Sequence, residues 1–237
     1  MLTSPFAPDI LFHIGPVPVA SAVVVTWGLM LALGIGCRLL TRRLTLRPER
    51  MQVFLESIVG LVTAEIRDSL RRDPRPYLPL IGTLFIFILA ANWSSLIPGV
   101  EPPTARLETD AALAGIVFAA SVYFGIHSQG ITGYLRSFAH PSMLMLPINL
   151  IEAVTRTLSL MLRLFGNIVS GVFVIGIIMS IAGLLVPIPL MALDLLTGAV
   201  QAYIFAILAL IFIGSATTPE SHQKSAPNHQ EKQHELD

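Results

Sequence analysis

Glu152, Arg156, Ser159, Arg163, Asn167 and Ser170 interrupt one long apolar stretch at intervals of three or four residues. On an α-helix each residue advances ~100°, so the other five lie within ~40° of the direction of Arg163. The remaining faces carry Leu, Val, Ile, Met and Phe, while Thr155 and Thr157 suit bonds to their own backbone. The chemistry open to such a stripe is the handling of charge in a low-dielectric medium, not bond making. Arg163 governs it. A mid-helix arginine costs ~2.5–3.5 kcal/mol on insertion scales, and a guanidinium keeps its charge where a buried ammonium would not. It therefore needs an anion or a water-filled cavity. Glu152 is eleven residues away, ~16 Å along the axis, which is too far to pair. The counter-anion is either Asp194 in the next apolar segment or a carboxylate on another protein.

Asp194, Thr197, Gly198 and Gln201 share a face of that next segment by their spacing. Opposed to the Arg163 stripe, with Gly166, Gly171 and Gly198 allowing close approach, they would form an aqueous path within a bilayer. Each residue also has a plainer reading. Asn167 and Gln201 can be interhelical glue, Asp194 a structural partner of Arg163, and Glu152 and Arg156 residents of the water interface. His127 and His140 flank a loop and suit an interface better than catalysis.

The elements that must position these groups follow from composition. Of 237 residues, 54% are hydrophobic and 13% charged, against ~45–50% and ~25% in an ordinary soluble domain. The excess lies in runs of the ~20 residues that span a bilayer. The expectation is an all-α integral membrane protein with five crossings, at about 19–40, 78–98, 111–126, 143–186 and 190–216. The last two form a long hairpin turning about Val186-Pro187-Ile188-Pro189, since proline breaks helices. An amphipathic helix is expected at about 49–70, on the membrane face or against a neighbouring protein. Residues 1–216 read as one membrane domain and 217–237 as a disordered tail, whose His222, His229 and His234 suit a solvated segment better than a metal site.

Orientation follows from positive charge. The 38–75 stretch holds nine arginines, whereas the first eighteen residues hold no Lys or Arg and the 98–110 loop only Arg106. The arginine-rich stretch is therefore cytoplasmic, the N-terminus outside and the C-terminus inside. No Lys or Arg precedes the first apolar run, so no cleavable signal is assigned. A lone Cys37 excludes an internal disulfide, and a net charge of zero argues against nucleic acid as a partner.

At this point a family becomes recognisable. Leu162-Arg163-Leu164-Phe165-Gly166-Asn167 resembles the signature of subunit a from the membrane sector of F-type ATP synthases. Pro147-Ile148-Asn149-Leu150-Ile151-Glu152 is similar to its lead-in, with Arg156 where a Lys is common. Gln201-Ala202-Tyr203-Ile204-Phe205 resembles its last-helix motif, and Thr83-Leu84-Phe85, Asn92 and Ile97-Pro98-Gly99 its second membrane segment. Trp27-Gly28-Leu29-Met30 and Gly99-Val100-Glu101-Pro102-Pro103-Thr104 resemble the variant of alternative, N-type operons.

The resemblance implies a multi-pass subunit of a bacterial inner membrane that performs no chemistry itself. It would be a stator, held with b subunits of a peripheral stalk beside a rotating ring of c subunits, each bearing a mid-membrane carboxylate. Two half-channels would carry H⁺ or Na⁺ to that carboxylate, with Arg163 between them. Asn167, Gln201, Asp194, Glu152 and Ser170 would line the path, with Asn92, Arg156 and Ser159 as further half-channel candidates; no cofactor or metal is implied. Family acids found nine residues after the arginine and three after the second-segment Asn are replaced by Val172 and Ser95, and a His by Asp194. Asp194 is thus the expected relay. A self-contained transporter would need a complete substrate site and usually repeats, and an intramembrane enzyme a metal or nucleophile motif; the sequence offers neither.

Overall fold

A computed structural model describes residues 10–14, 17–42, 50–71, 73–97, 100, 102–139, 145–183 and 186–217. The expected tail lies outside these residues except for Thr217, which is the buried last residue of α6 and not part of a tail; Glu49, Pro98, Gly99, Glu101 and His140 also lie outside them. Among the described residues, five helices are long and apolar enough to cross a membrane: α1 (Ser21–Thr41), α3 (Leu78–Trp93, continued by a 3-10 turn at Ser94–Leu96), α4 (Leu107–Ala139), α5 (Met145–Ala182) and α6 (Pro187–Thr217). The expected all-helical membrane architecture is observed, preceded by a short antiparallel hairpin of β1 (Ile10–Ile14) and β2 (Val17–Ala20). The amphipathic segment forms α2 (Arg50–Leu70).

Helix α6 is central, packing against α2, α3, α4 and α5. Its Ala202, Phe205, Ala209, Leu210 and Ile213 are fully buried, so small and large side chains alternate where the neighbours converge. Leu160, Leu164 and Ile168, four residues apart on α5, supply one facing ridge. Ile81, Leu84, Ile88 and Ala91 supply another from α3. Helix α2 docks on its own chain through buried Val62 and Ile66, one turn apart. A Cβ at Gly214 of α6 would meet the side chain of Leu70 there.

Two boundaries differ from the sequence expectation. Pro187 and Pro189 do not make the turn of the last hairpin; they lie in the first turn of α6, where proline's missing N–H has no helical partner to lose. The reversal instead begins at Gly183, whose φ of +73° ends α5 in the left-handed conformation glycine tolerates. Helix α4 outruns the expected 111–126 at both ends, and its C-terminal continuation is held by tertiary bonds. It breaks at Gly130 (φ 73°, ψ 164°). Around the break, Ser128 Oγ donates to the Thr217 carbonyl (2.9 Å) and Gln129 Nε2 to that of Ala216 (3.0 Å), satisfying the open C-terminal carbonyls of α6. Beyond it Tyr134 covers Gly125, where a Cβ would sit 2.5 Å from the ring.

At 38 residues, α5 is ~57 Å long, nearly twice the ~30 Å hydrocarbon core. That length leaves room for the helix to cross with a strong tilt, as the family resemblance implies for the last two helices.

Candidate functional site

The stripe of α5 lies at an edge. Its buried ridge, Leu160, Leu164 and Ile168, points ~60–140° to one side of Arg163, and the exposed side chains Ile148, Leu158, Leu162, Phe173 and Ile177 point to the other. Arg163 itself is exposed on this border. Among the described residues it has no hydrogen bond, ion pair or ring contact. A groove with a volume of 520 Å³ runs from it toward the N-terminal end of α5, lined by Ile148, Ile151, Glu152, Thr155, Arg156, Ser159, Leu160 and, from α6, Leu208 and Phe212.

At the far end of this groove the charges are paired. Arg156 Nη2 donates to Glu152 Oε1 one turn away, and Nη1 donates to Ser215 Oγ of α6 (3.2 Å). The guanidinium lies over the Phe212 ring, 5.5 Å from its centroid, close enough for a cation–π contact. Glu152 and Arg156 thus satisfy each other, and Arg163 is left without a counter-charge among the described residues.

The other candidates gather on the opposite side of Arg163. Asp194 of α6 lies against Gly171 of α5, eight residues past the arginine and so ~12 Å further along the helix. A Cβ at Gly171 would overlap the carboxylate. The possibility that Asp194 neutralises Arg163 is therefore not realised: the hairpin register sets the acid two turns beyond it. Ser95 Oγ donates to the Asn92 carbonyl (2.8 Å) and stands 3.5 Å from Asp194 Oδ2, too far to hold the acid firmly. Buried Asn92 clamps three elements: its Nδ2 donates to the Gly198 carbonyl (2.9 Å) and its Oδ1 accepts from Thr104 Oγ1 (2.8 Å). Trp93 Nε1 reinforces the junction by donating to the Leu195 carbonyl (3.2 Å).

Asn167 and Gln201 differ from Asn92. The Nδ2 of Asn167 and the Nε2 of Gln201 are buried without a hydrogen-bond partner among the described residues. Such amides are costly unless water or another chain meets them. Ser170 bonds only its own helix, donating to the Asn167 carbonyl (2.9 Å), and Ser159 lines the groove. Sequence reasoning missed Thr104, Ser215 and Asp110, the last a fully buried acid on α4. Asp110 was legible in principle, because Asp110, Leu113, Ala114 and Val117 hold one helical stripe.

The Asn92 clamp is open to test. Asn92→Ala orphans the Thr104 hydroxyl and takes a second donor from the Gly198 carbonyl, and should cost ~0.6–2 kcal/mol, the range of interhelical polar bonds in membranes. A lowered midpoint in detergent denaturation of the complex is the expected reading; an unchanged midpoint would show that the clamp carries no stability.

Fold and site together define a polytopic helical membrane protein whose central feature is a cation placed on a lateral face without a partner among the described residues. The model of the ATP synthase A chain family matches residues 23–214. The chain is 55% identical to ATP synthase subunit a 2 of Bradyrhizobium sp. over 216 residues, covering 91% of this chain and 97% of that protein. It is 49% identical to ATP synthase subunit a of Albidiferax ferrireducens over 199 residues (83% and 86%), and 46% identical to subunit a 1 of Prosthecochloris aestuarii over 210 residues (88% and 94%). It belongs to the ATP synthase subunit a family, the membrane-sector subunit of that complex.

Proposed function

We propose that this chain is the stator of a rotary ion motor, coupling H⁺ or Na⁺ movement to ATP synthesis or hydrolysis while making and breaking no bonds itself. The observation that carries this reading is Arg163, without a partner among the described residues, on the border between a buried helix face and an exposed apolar one. A fixed intramembrane cation demands an anion, and the described residues offer none in contact. A ring of c subunits, each with a mid-membrane carboxylate, would bring one anion after another to that place. The exposed face of α5 beside Arg163 is the docking surface this requires.

The two polar regions on either side of Arg163 act as half-channels. One is the groove from Glu152 to Arg163; the other is the cluster of Asp194, Ser95, Asn92 and Thr104. With the arginine-rich connection between α1 and α3 facing the cytoplasm, the groove opens inward and the Asp194 cluster outward. Arg163 favours the ionised ring carboxylate, so the ring subunit releases its ion before it passes. The b subunits of a peripheral stalk keep the stator from turning with it.

Cysteine cross-linking tests the docking. In a Cys37→Ser background, a cysteine replacing Leu162 (57% exposed) should form a disulfide with one placed at mid-membrane depth in the ring subunit. One replacing Leu31 of α1 (64% exposed) should not. The reverse pattern would remove the proposal.

A further inference from the structure

Asp110 has no role in the mechanism so far, and its surroundings are unusual. It is 0% exposed, and neither carboxylate oxygen has a hydrogen-bond partner among the described residues. It makes no ion pair there either. It occupies the inner stripe of α4 with Leu113, Ala114 and Val117, all nearly or fully buried. The same helix turn offers outward positions, and Glu108 takes one of them. An acid needed only to complement the helix N-terminus would do so from the outside, as Glu108 can. An acid needed for packing would be paired or hydrogen-bonded, because an unpaired buried carboxyl opposes folding. Neither structural purpose fits.

Its place in the chain supplies another. Four residues before α4 begins at Leu107, buried Pro103 starts the 3-10 turn Pro103–Ala105, and this turn packs against α3, α4 and α5. Thr104, fully buried in it, donates to Asn92, and the Asn92 carbonyl accepts from Ser95, which stands beside Asp194. Asp110 follows six residues after Thr104. The connection between α3 and α4 therefore delivers a second acid to the end of the bundle that holds Asp194.

We propose that Asp110 is an ion-relaying carboxylate of the half-channel that opens at the α3–α4 connection, passing the transported cation between that surface and the Asp194 cluster. Both oxygens are free to accept water or a cation, as a relay requires. The assignment rests on the ion-path reading above, and the experiment separates the two.

The whole complex is reconstituted in liposomes and ATP-driven ion uptake is measured. Asp110→Asn should slow uptake about fivefold, below the ~100-fold of an indispensable proton-transfer group because Asp194 remains. ATP hydrolysis by the coupled complex should slow in step with uptake while ring association stays normal, and Asp110→Glu should keep most of the rate. In a Cys37→Ser background, Asp110→Cys should become sensitive to Ag⁺ added from the α3–α4 side, showing aqueous access. Uptake by Asp110→Asn at the wild-type rate, or an Asp110→Cys complex indifferent to Ag⁺, would overturn the inference. If Asp110→Asn fails to assemble, the silver measurement decides alone. An Arg163→Ala complex serves as reference: if it is inactive while Asp110→Asn pumps normally, this inference alone falls; if it still pumps, the ion-path reading falls too.

Discussion

Replacing Arg163 with alanine should abolish ATP-driven ion uptake by the reconstituted complex and, at the same time, open a passive leak. The two effects have one origin. A ring carboxylate arriving opposite Arg163 is held ionised by the guanidinium, and without that cation nothing favours release of its ion before it crosses. Rotation then carries ions around without net transport. The leak follows from what the arginine excludes. A free cation ~4 Å from the guanidinium at an effective dielectric of ~20 meets a barrier of ~4 kcal/mol, or roughly a thousandfold lower occupancy at ~1.4 kcal/mol per decade. In Arg163→Ala that barrier is gone, and the groove along Glu152, Arg156 and Ser159 communicates with the polar cluster at Gly171 and Asp194. Arg163→Lys should restore less than the charge alone suggests, since a buried ammonium can lose its proton and lacks the planar fork. Uptake by Arg163→Ala above a tenth of the wild-type rate, in the terms of roughly 1.4 kcal/mol per decade, would defeat the mechanism.

The structure also explains which parts of this site could be read from sequence. The α5 stripe was legible because it depends on helical geometry alone: Glu152, Arg156, Ser159, Arg163, Asn167 and Ser170 recur every three or four residues, and local periodicity survives whatever packs around it. The five apolar helices were legible for the same reason, as runs. What depended on register between helices was not. Whether Asp194 reaches Arg163 or Gly171 is decided by where the hairpin reverses, and the reversal begins at Gly183, before the prolines rather than at them. Asn92 has a helical neighbourhood that says nothing of Thr104 or Gly198, which are 12 and 106 residues away in sequence. Asp110 was lost through a boundary: with the third crossing starting at Ala111, the acid falls in a loop, whereas α4 starts at Leu107 and puts it on the inner stripe. The C-terminal part of α4 was equally hidden, because bonds from Ser128 and Gln129 to the end of α6 are tertiary.

Asp194→Asn should reduce ATP-driven ion uptake roughly tenfold, less than the ~100-fold floor for a positioned proton-transfer group because water can carry part of the path. The amide is nearly isosteric, so the packing of α6 against Gly171 and the distance to Ser95 should persist, and the complex should assemble, with ATP hydrolysis slowed in step with uptake. Gly171→Ala makes the complementary change. It leaves the acid's chemistry intact and adds one methyl group, where the Asp194 carboxylate now lies. The carboxylate must swing away, and its neighbour Ser95, already 3.5 Å distant, offers no bond strong enough to resist. Uptake by Gly171→Ala should therefore fall between wild type and Asp194→Asn, and combining Gly171→Ala with Asp194→Asn should add little further loss, as expected for two changes acting through one contact. If Asp194→Asn pumps at the wild-type rate, Asp194 is a packing residue and no relay. If Asp194→Asn fails while Gly171→Ala is unaffected, the charge matters but its position does not, which would contradict an ion handed on at one fixed point beside α5.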